Sequence, residues 1–167
     1  DESLLFPSEN LDVHMGRYDF LCTDCHTTDE HNISGRMLSV SVDDEHQIAC
    51  TDCHAADLHN DERINAHVAT VACQTCHIPS IALKNPTKVT WDWSTAGQDR
   101  PEDHYTYLKI KGDFLYEKDY QPEYLWYDGG VAYRYLMGDP LAAEGPTLLN
   151  PPSGAIDNAD ARIWPFK

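Results

Sequence analysis

Six cysteines and three histidines occur in three copies of one short pattern, Cys-x-x-Cys-His. The copies comprise Cys22, Cys25 and His26; Cys50, Cys53 and His54; and Cys73, Cys76 and His77. Two thiols one helical turn apart can add to the two vinyl groups of one haem as thioethers, and the adjacent histidine then binds the iron from the proximal side. The spacing therefore predicts three covalently attached c-type haems, with all six cysteines used.

The cysteines have two other conceivable uses. Six cysteines in an exported protein could form three disulfide bonds, and two of the pairs could form a four-thiolate zinc site. Disulfide bonding gives no reason for a histidine after every second cysteine, and zinc leaves the third pair without a role. With nine histidines in 167 residues, three such placements arise by chance with odds on the order of one in several thousand, so haem attachment is favoured.

A low-spin haem iron also needs a sixth, distal ligand. Six histidines lie outside the motifs, namely His14, His31, His46, His59, His67 and His104. Methionine is the other common ligand, but the chain has only three, Met15, Met37 and Met137. We therefore predict two histidine ligands at each iron. This coordination leaves no iron position open for a substrate and favours lower potentials than histidine–methionine ligation.

The distance along the chain restricts which histidine can serve which iron. His31 follows His26 by five residues, and His59 follows His54 by five. Five residues reach at most about 17 Å when fully extended, so the chain would have to pass round the edge of its own haem. We therefore expect His31 and His59 to bind the haem of another motif. Such ligation would bring the haems together and link distant parts of the chain.

The elements that carry these motifs are predicted to be short. Short helices are expected near Cys50–Ala56 and Ile64–Cys76, where few helix breakers intervene. A small hairpin is expected where Tyr105–Ile110 and Asp113–Tyr116 flank a Lys-Gly pair. The predicted fold class is a multihaem cytochrome c, mostly coil with short α-helices and little β-structure, in which the haems form the core.

Composition changes along the chain. Residues 21–80 hold all six cysteines and seven of the nine histidines, whereas residues 81–167 hold 14 of the 17 aromatic residues and eight of the ten prolines. A chain of 167 residues is normal for one domain. We predict a single trihaem domain over residues 1–167, with a haem-attachment region at 21–80 and an aromatic and proline-rich wrapping region at 81–167.

The formal net charge of -16 restricts the partners. Binding to nucleic-acid phosphates needs a basic face, so no nucleic-acid partner is expected. No stretch approaches the roughly 18 apolar residues of a membrane span, and the opening DESLLFPSEN lacks the features of a secretory signal. We expect a mature extracytoplasmic protein, periplasmic or extracellular, whose partners are redox proteins, extracellular acceptors or further copies of the chain.

Longer blocks of sequence resemble a known family. These blocks are DVHM at 12–15, INAHVATVACQTCHIPSIA at 64–82, PTKVTWDWSTAGQD at 86–99, KIKGDF at 109–114, PEYLWYDGG at 122–130 and RIWPFK at 162–167. Together they resemble the haem-bearing C-terminal part of the octahaem tetrathionate reductase family of multihaem c-type cytochromes. The resemblance implies that the best distal ligand candidates are His14, His31, His59 and His67, whereas His46 and His104 are weaker ones.

The chain also departs from that family. Its members carry eight haems, and their catalytic haem takes a lysine from a CxxCK motif, whereas no lysine follows a CxxC pair here. We therefore predict electron transfer with no catalytic residue. The protein would be a soluble periplasmic shuttle or the repeating subunit of an extracellular filament, in which the surplus fourth histidine could bind a haem of another chain. The alternative is a fragment or subunit of a multihaem reductase acting on sulfur or nitrogen oxyanions.

Overall fold

The computed structural model describes residues 2–35, 48–55, 57–132, 135–141, 144–149 and 151–167. These ranges include all six cysteines and every candidate histidine except His46, which lies outside them. No helix in these ranges is long and apolar enough to cross a membrane.

The regular elements of the described chain are short. The helices are α1 (Val13–Tyr18), α2 (Cys22–Cys25), α3 (Glu62–His67) and α4 (Cys73–His77), with 3-10 turns at Glu2–Leu4, Cys50–Asp52 and Trp93–Thr95. The strands are β1 (Thr28–Asp29), β2 (Asn32–Ile33), β3 (Thr87–Asp92), β4 (Tyr107–Leu108), β5 (Gly112–Glu117), β6 (Glu123–Tyr127) and β7 (Arg162–Phe166). The predicted fold class, mostly coil with short helices, is confirmed.

The chain divides into two compact units whose sequences interleave. The first, which we call the strand unit, comprises Asp1–Asp19, Ile78–Glu123 and Lys167. The second, the motif unit, comprises Phe20–His77 and Tyr124–Phe166. All three Cys-x-x-Cys-His motifs therefore lie in the motif unit, and the boundary near residue 78 is close to the predicted end of the haem-attachment region.

The strand unit is built on a three-stranded antiparallel sheet with β5 between β3 and β4. The predicted hairpin is present as β4 and β5, with Leu108 opposite Gly112. Gly112 has a φ of +81°, and a Cβ there would lie 2.1 Å from the backbone oxygen of Asp92, so this turn requires glycine. Tyr107 and Phe114 are buried in this unit.

In the motif unit, strand β7 fixes the segment between α3 and α4. The Ile163 N–H donates to the Thr70 carbonyl at 2.8 Å, and the Ala72 N–H donates to the Ile163 carbonyl at 3.0 Å. These strand-like bonds replace helical ones, so the helix predicted over Ile64–Cys76 is instead two helices, α3 and α4. The sequence pattern missed this break because its cause lies about 90 residues away along the chain.

The motif unit has almost no conventional core. Its buried apolar residues, among those described, are two alanines, Ala72 and Ala161. Burial of apolar surface is the main stabilising contribution in a globular domain, and two methyl groups contribute little of it. This agrees with the prediction that covalently bound haems form the core.

Candidate haem-attachment sites

Each Cys-x-x-Cys-His motif forms a helical turn. In the first, the His26 N–H donates to the Cys22 carbonyl at 2.8 Å, and in the second the His54 N–H donates to the Cys50 carbonyl at 2.8 Å. The third motif is helix α4 itself. Because residues three apart lie on one face of a helical turn, each turn presents its two thiols on the same side, as a single haem requires.

An acidic residue inside each of the first two motifs holds its turn. The Asp24 carboxylate accepts a hydrogen bond from the Leu21 N–H at 2.7 Å, and the Asp52 carboxylate accepts one from the Ala49 N–H at 2.9 Å. Each bond runs from the third position of the turn back to the residue before it, as in the second half of a capping box. The shared CTDCH sequence of these two copies therefore includes its own helix cap.

The third motif is held from outside. It reads CQTCH, and Thr75 takes the position that aspartate has in the other two copies. The Thr75 hydroxyl donates to the Ile163 carbonyl of β7 at 2.7 Å. The first two motifs are thus capped by their own aspartate, whereas the third is held by a hydrogen bond from its threonine to strand β7.

The proximal imidazole of the first motif is oriented by a backbone carbonyl. The Nδ1 atom of His26 lies 2.8 Å from the Ser34 carbonyl oxygen. A carbonyl can only accept, so Nδ1 carries the proton and Nε2 keeps the lone pair that a metal needs. The β1–β2 hairpin returns the chain to this point, since Thr28 pairs with Ile33 and Asp29 with Asn32.

Gly35 packs against the same imidazole. A Cβ at this position would lie 3.2 Å from Nδ1 of His26, and the φ of Gly35 is +119°. His31 lies in the exposed two-residue turn of the same hairpin, with Glu30 at a φ of 54°. The first motif, its orienting carbonyl and one distal candidate therefore belong to a single local structure.

A distal candidate of the second repeat is held by a carboxamide. The Asn65 Oδ1 atom accepts from the His59 N–H at 3.0 Å and from His59 Nδ1 at 3.1 Å. The Asn65 Nδ2 atom donates to the carbonyls of His59 at 2.8 Å and Asp57 at 3.2 Å. Only this orientation of the amide satisfies all four groups, so Nδ1 of His59 carries the proton and Nε2 is left for a metal.

The second and third motifs come together in the motif unit. The rings of His59 and His77 have centres 6.1 Å apart and an interplanar angle of 24°. Partial burial, together with the neighbouring thiol of Cys73, raises the pKa of the Cys50 thiol. The first cysteines of these two motifs are therefore adjacent.

The other candidate histidines lie on separate elements. His14 is in α1, where Asp12 caps the helix by accepting from the His14 and Met15 N–H groups. His67 is the last residue of α3, and His104 lies in a turn of the strand unit. The structure thus places His59 next to the motif histidine His77. His31 follows the first motif closely in sequence and lies in the turn of the β1–β2 hairpin.

The residues around the motifs fit a haem. The six cysteines form no disulfide bonds, and five of them are exposed. Apolar neighbours of the motifs are exposed as well, with Leu21 at 66%, Ile33 at 62% and Leu58 at 51%. Exposed apolar side chains beside the motifs are what covalently attached haems would cover. Within the described ranges, no group of three or more cysteine, histidine or acidic side chains is arranged to hold a metal ion without a porphyrin.

Two comparisons support this interpretation. Residues 88–167 match the family model described as bacterial cytochrome c. The chain is also similar to the octaheme cytochrome c from Shewanella oneidensis, with 44% identity and a TM-score of 0.89 over 99% of this chain. The chain spans 39% of the length of that octaheme protein. No curated protein matches the chain.

The three attachment motifs and these matches together indicate covalent haem c attachment, the defining feature of c-type cytochromes. The chain is similar to a section of a multihaem c-type cytochrome, and its fold is that of part of the octaheme protein. Bacterial cytochromes c are in general extracytoplasmic, which agrees with the predicted location.

Several residues that shape the sites were missed from the sequence. Ser34 acts through its backbone carbonyl, for which no side chain gives a signal. Asn65 stands within a helix, where asparagine is unfavourable, and that was a usable signal of a specific role. Asp24 and Asp52 recur at the same place in the two repeats, which could have indicated a cap.

Proposed function

We propose that the chain carries three haem c groups and transfers electrons between redox partners without transforming a substrate. The observation that carries this proposal is the repeated turn, in which two thiols and a following histidine occur three times in one compact unit. Haem c supplies a one-electron couple at its iron, and the protein supplies covalent attachment, axial ligands and an apolar surround.

Closed coordination is the reason to propose a carrier. The motif histidines His26, His54 and His77 would be the proximal ligands, and His14, His31, His59 and His67 are the leading distal candidates. His26 and His59 each have Nδ1 hydrogen-bonded to an acceptor, an arrangement typical of metal-binding histidines. With two imidazoles on each iron, no coordination position is left for a substrate.

The contact between motifs supports transfer from haem to haem. Because Cys73 is a neighbour of Cys50, thioether bonds at these two cysteines would place the edges of two haems side by side. Electrons would then move between these haems without leaving the protein.

The experiment that tests this proposal is spectroscopy of the purified holoprotein. A pyridine haemochrome assay against protein concentration is expected to give three haems per chain, and electron paramagnetic resonance is expected to show low-spin iron only. A high-spin signal from about a third of the iron would favour the competing interpretation, a section of a reductase of sulfur or nitrogen oxyanions. A colourless protein would contradict both.

Charge suggests the kind of partner. A net charge of -16 favours a basic redox protein, and such encounters slow as salt screens the attraction. The rate of reduction by a basic cytochrome is therefore expected to fall as ionic strength rises, in stopped-flow measurements. A rate that does not depend on ionic strength would favour an electron acceptor without a basic surface.

A second candidate function is that of a repeating subunit in an extracellular filament. Four leading distal histidines stand against three irons, and one of them, His31, lies in an exposed hairpin turn. A surplus histidine there could bind a haem of the next chain. Electron microscopy at high protein concentration is expected to show filaments that His31→Ala abolishes and His104→Ala leaves intact. A monomer at every concentration would instead favour the periplasmic shuttle.

A further inference from the structure

We propose that His59 and His77 are the two axial ligands of one haem, the one attached to Cys73 and Cys76. The histidine that trails the second motif would thus serve the third motif. This inference rests on the proposed function, because it requires a haem at the third motif, and it assigns a distal ligand that the sequence left open among four candidates.

The first support is the distance between the two rings. An imidazole nitrogen binds a metal at about 2 Å and the ring centre lies about 1 Å farther out, so two imidazoles on opposite sides of one metal have centres about 6 Å apart. The observed distance between the ring centres of His59 and His77 is 6.1 Å. The interplanar angle of 24° makes the two imidazoles nearly parallel.

The second support is the orientation of His59. Its Nδ1 donates to Asn65 Oδ1 at 3.1 Å, and its backbone N–H donates to the same atom at 3.0 Å. The Asn65 amide also binds the carbonyls on either side of the segment, at Asp57 and at His59. The ring is therefore fixed by a side chain on α3, and Nε2 is its free coordinating atom.

The third support is that the alternative assignment within the same motif is difficult. His59 follows His54 by five residues, too short a path to pass easily round a haem attached at Cys50 and Cys53. Cys73 is a neighbour of Cys50, so the second motif lies beside the third. A ligand that crosses from one motif to the next is the simpler connection.

This pairing would give Asn65 a positioning role. It orients His59 through Nδ1, and a stronger acceptor there makes the imidazole a more basic ligand. The substitution Asn65→Asp places a carboxylate at this position and is expected to lower the potential of one haem while leaving the other two unchanged. A purely structural role for Asn65 would shift no single potential.

The direct test replaces His59 with methionine in the full-length holoprotein. Methionine can still bind iron, so the variant retains a sixth ligand, and histidine–methionine ligation raises the potential. Redox titration is expected to show one haem shifted upward and two unchanged, with three haems still present by intact mass. The matched control is Tyr105→Met, at an exposed side chain in a turn of the strand unit, which is expected to leave all three potentials unchanged.

An experimental density map of the holoprotein, from crystallography or electron cryomicroscopy, identifies the ligand independently of any variant. Nε2 of His59 is expected on the iron of the haem bound to Cys73 and Cys76, opposite His77. Any other ligand at that iron, or three unchanged potentials in His59→Met, would overturn the pairing while the proposed function stands. A holoprotein whose mass shows no haem would instead overturn the proposed function itself.

Discussion

The Nδ1 atom of His26 donates a hydrogen bond to the Ser34 carbonyl oxygen at 2.8 Å, and the residue after Ser34 is a glycine packed on the same ring. The seven residues between donor and acceptor, 27–33, include the whole β1–β2 hairpin. The hairpin therefore has a specific task, since it returns a carbonyl to the motif histidine and thereby sets which nitrogen is free for iron.

Gly35→Ala is expected to disturb the first haem. The new methyl group would lie 3.2 Å from Nδ1 of His26, closer than an ordinary contact, so the ring or the hairpin must move. We expect one of the haems to show altered electron paramagnetic resonance values and a shifted potential. Gly97→Ala is the matched control, because its φ of +86° is also one that L side chains rarely adopt, while nothing lies within 4 Å of its Cβ. Equal effects in both variants would contradict a role for the contact with His26.

Asp24→Ala is expected to weaken the first motif's turn. It leaves the Leu21 N–H without its acceptor, and loss of such a cap costs about 0.5–2 kcal/mol. The free energy of unfolding from urea titration of the holoprotein measures this loss. Asp52→Ala, which uncaps the second motif, is expected to behave alike. Asp57→Ala is the control, because its backbone carbonyl, and not its carboxylate, makes the contact with Asn65; equal destabilisation there would contradict the capping role.

Stability in acid is expected to depend on Asp128. Hydrogen bonds from Ser153, first in importance, and from Gly130 and Asn158 hold the pKa of Asp128 below its usual value of 3.8. A lowered folded-state pKa stabilises the folded protein above the unfolded value, and this contribution is lost as the pH falls through the folded one. Asp128→Asn is therefore expected to lower the urea midpoint at about pH 6, with the difference from wild type shrinking toward about pH 3.

Ser153→Ala provides the companion measurement. It removes the hydroxyl that contributes most to the lowered pKa of Asp128 and leaves the carboxylate in place. We expect a smaller loss of stability with the same direction of pH dependence. A difference between wild type and Asp128→Asn that stays constant from neutral to acid pH would contradict this account of the cluster.

The attachment motifs could be predicted from the sequence because their chemistry is local. Two cysteines and a histidine within five residues fix both the bonds and the turn. The β4–β5 hairpin could also be predicted. Lys111 and Gly112 lie at its turn, and Gly112 has a φ of +81°, a conformation that glycine adopts readily.

The features that were missed depend on contacts between distant residues. Strand β7 divides the helix predicted over Ile64–Cys76, because Ile163 pairs with Thr70 and Ala72. The division into strand and motif units cannot be read from composition, because a composition profile follows chain order. The short distance between His59 and His77 depends on the tertiary structure. The sequence separation of His59 from each motif restricts which haem it can reach but does not determine it.

The number of covalently bound haems tests the central claim most directly. Intact mass spectrometry of the mature, denatured protein measures it without any assumption about folding or ligation. We expect the mass of the polypeptide plus three haems, with all six cysteines protected from alkylation. A mass equal to the bare polypeptide, with six reactive thiols, would contradict the account.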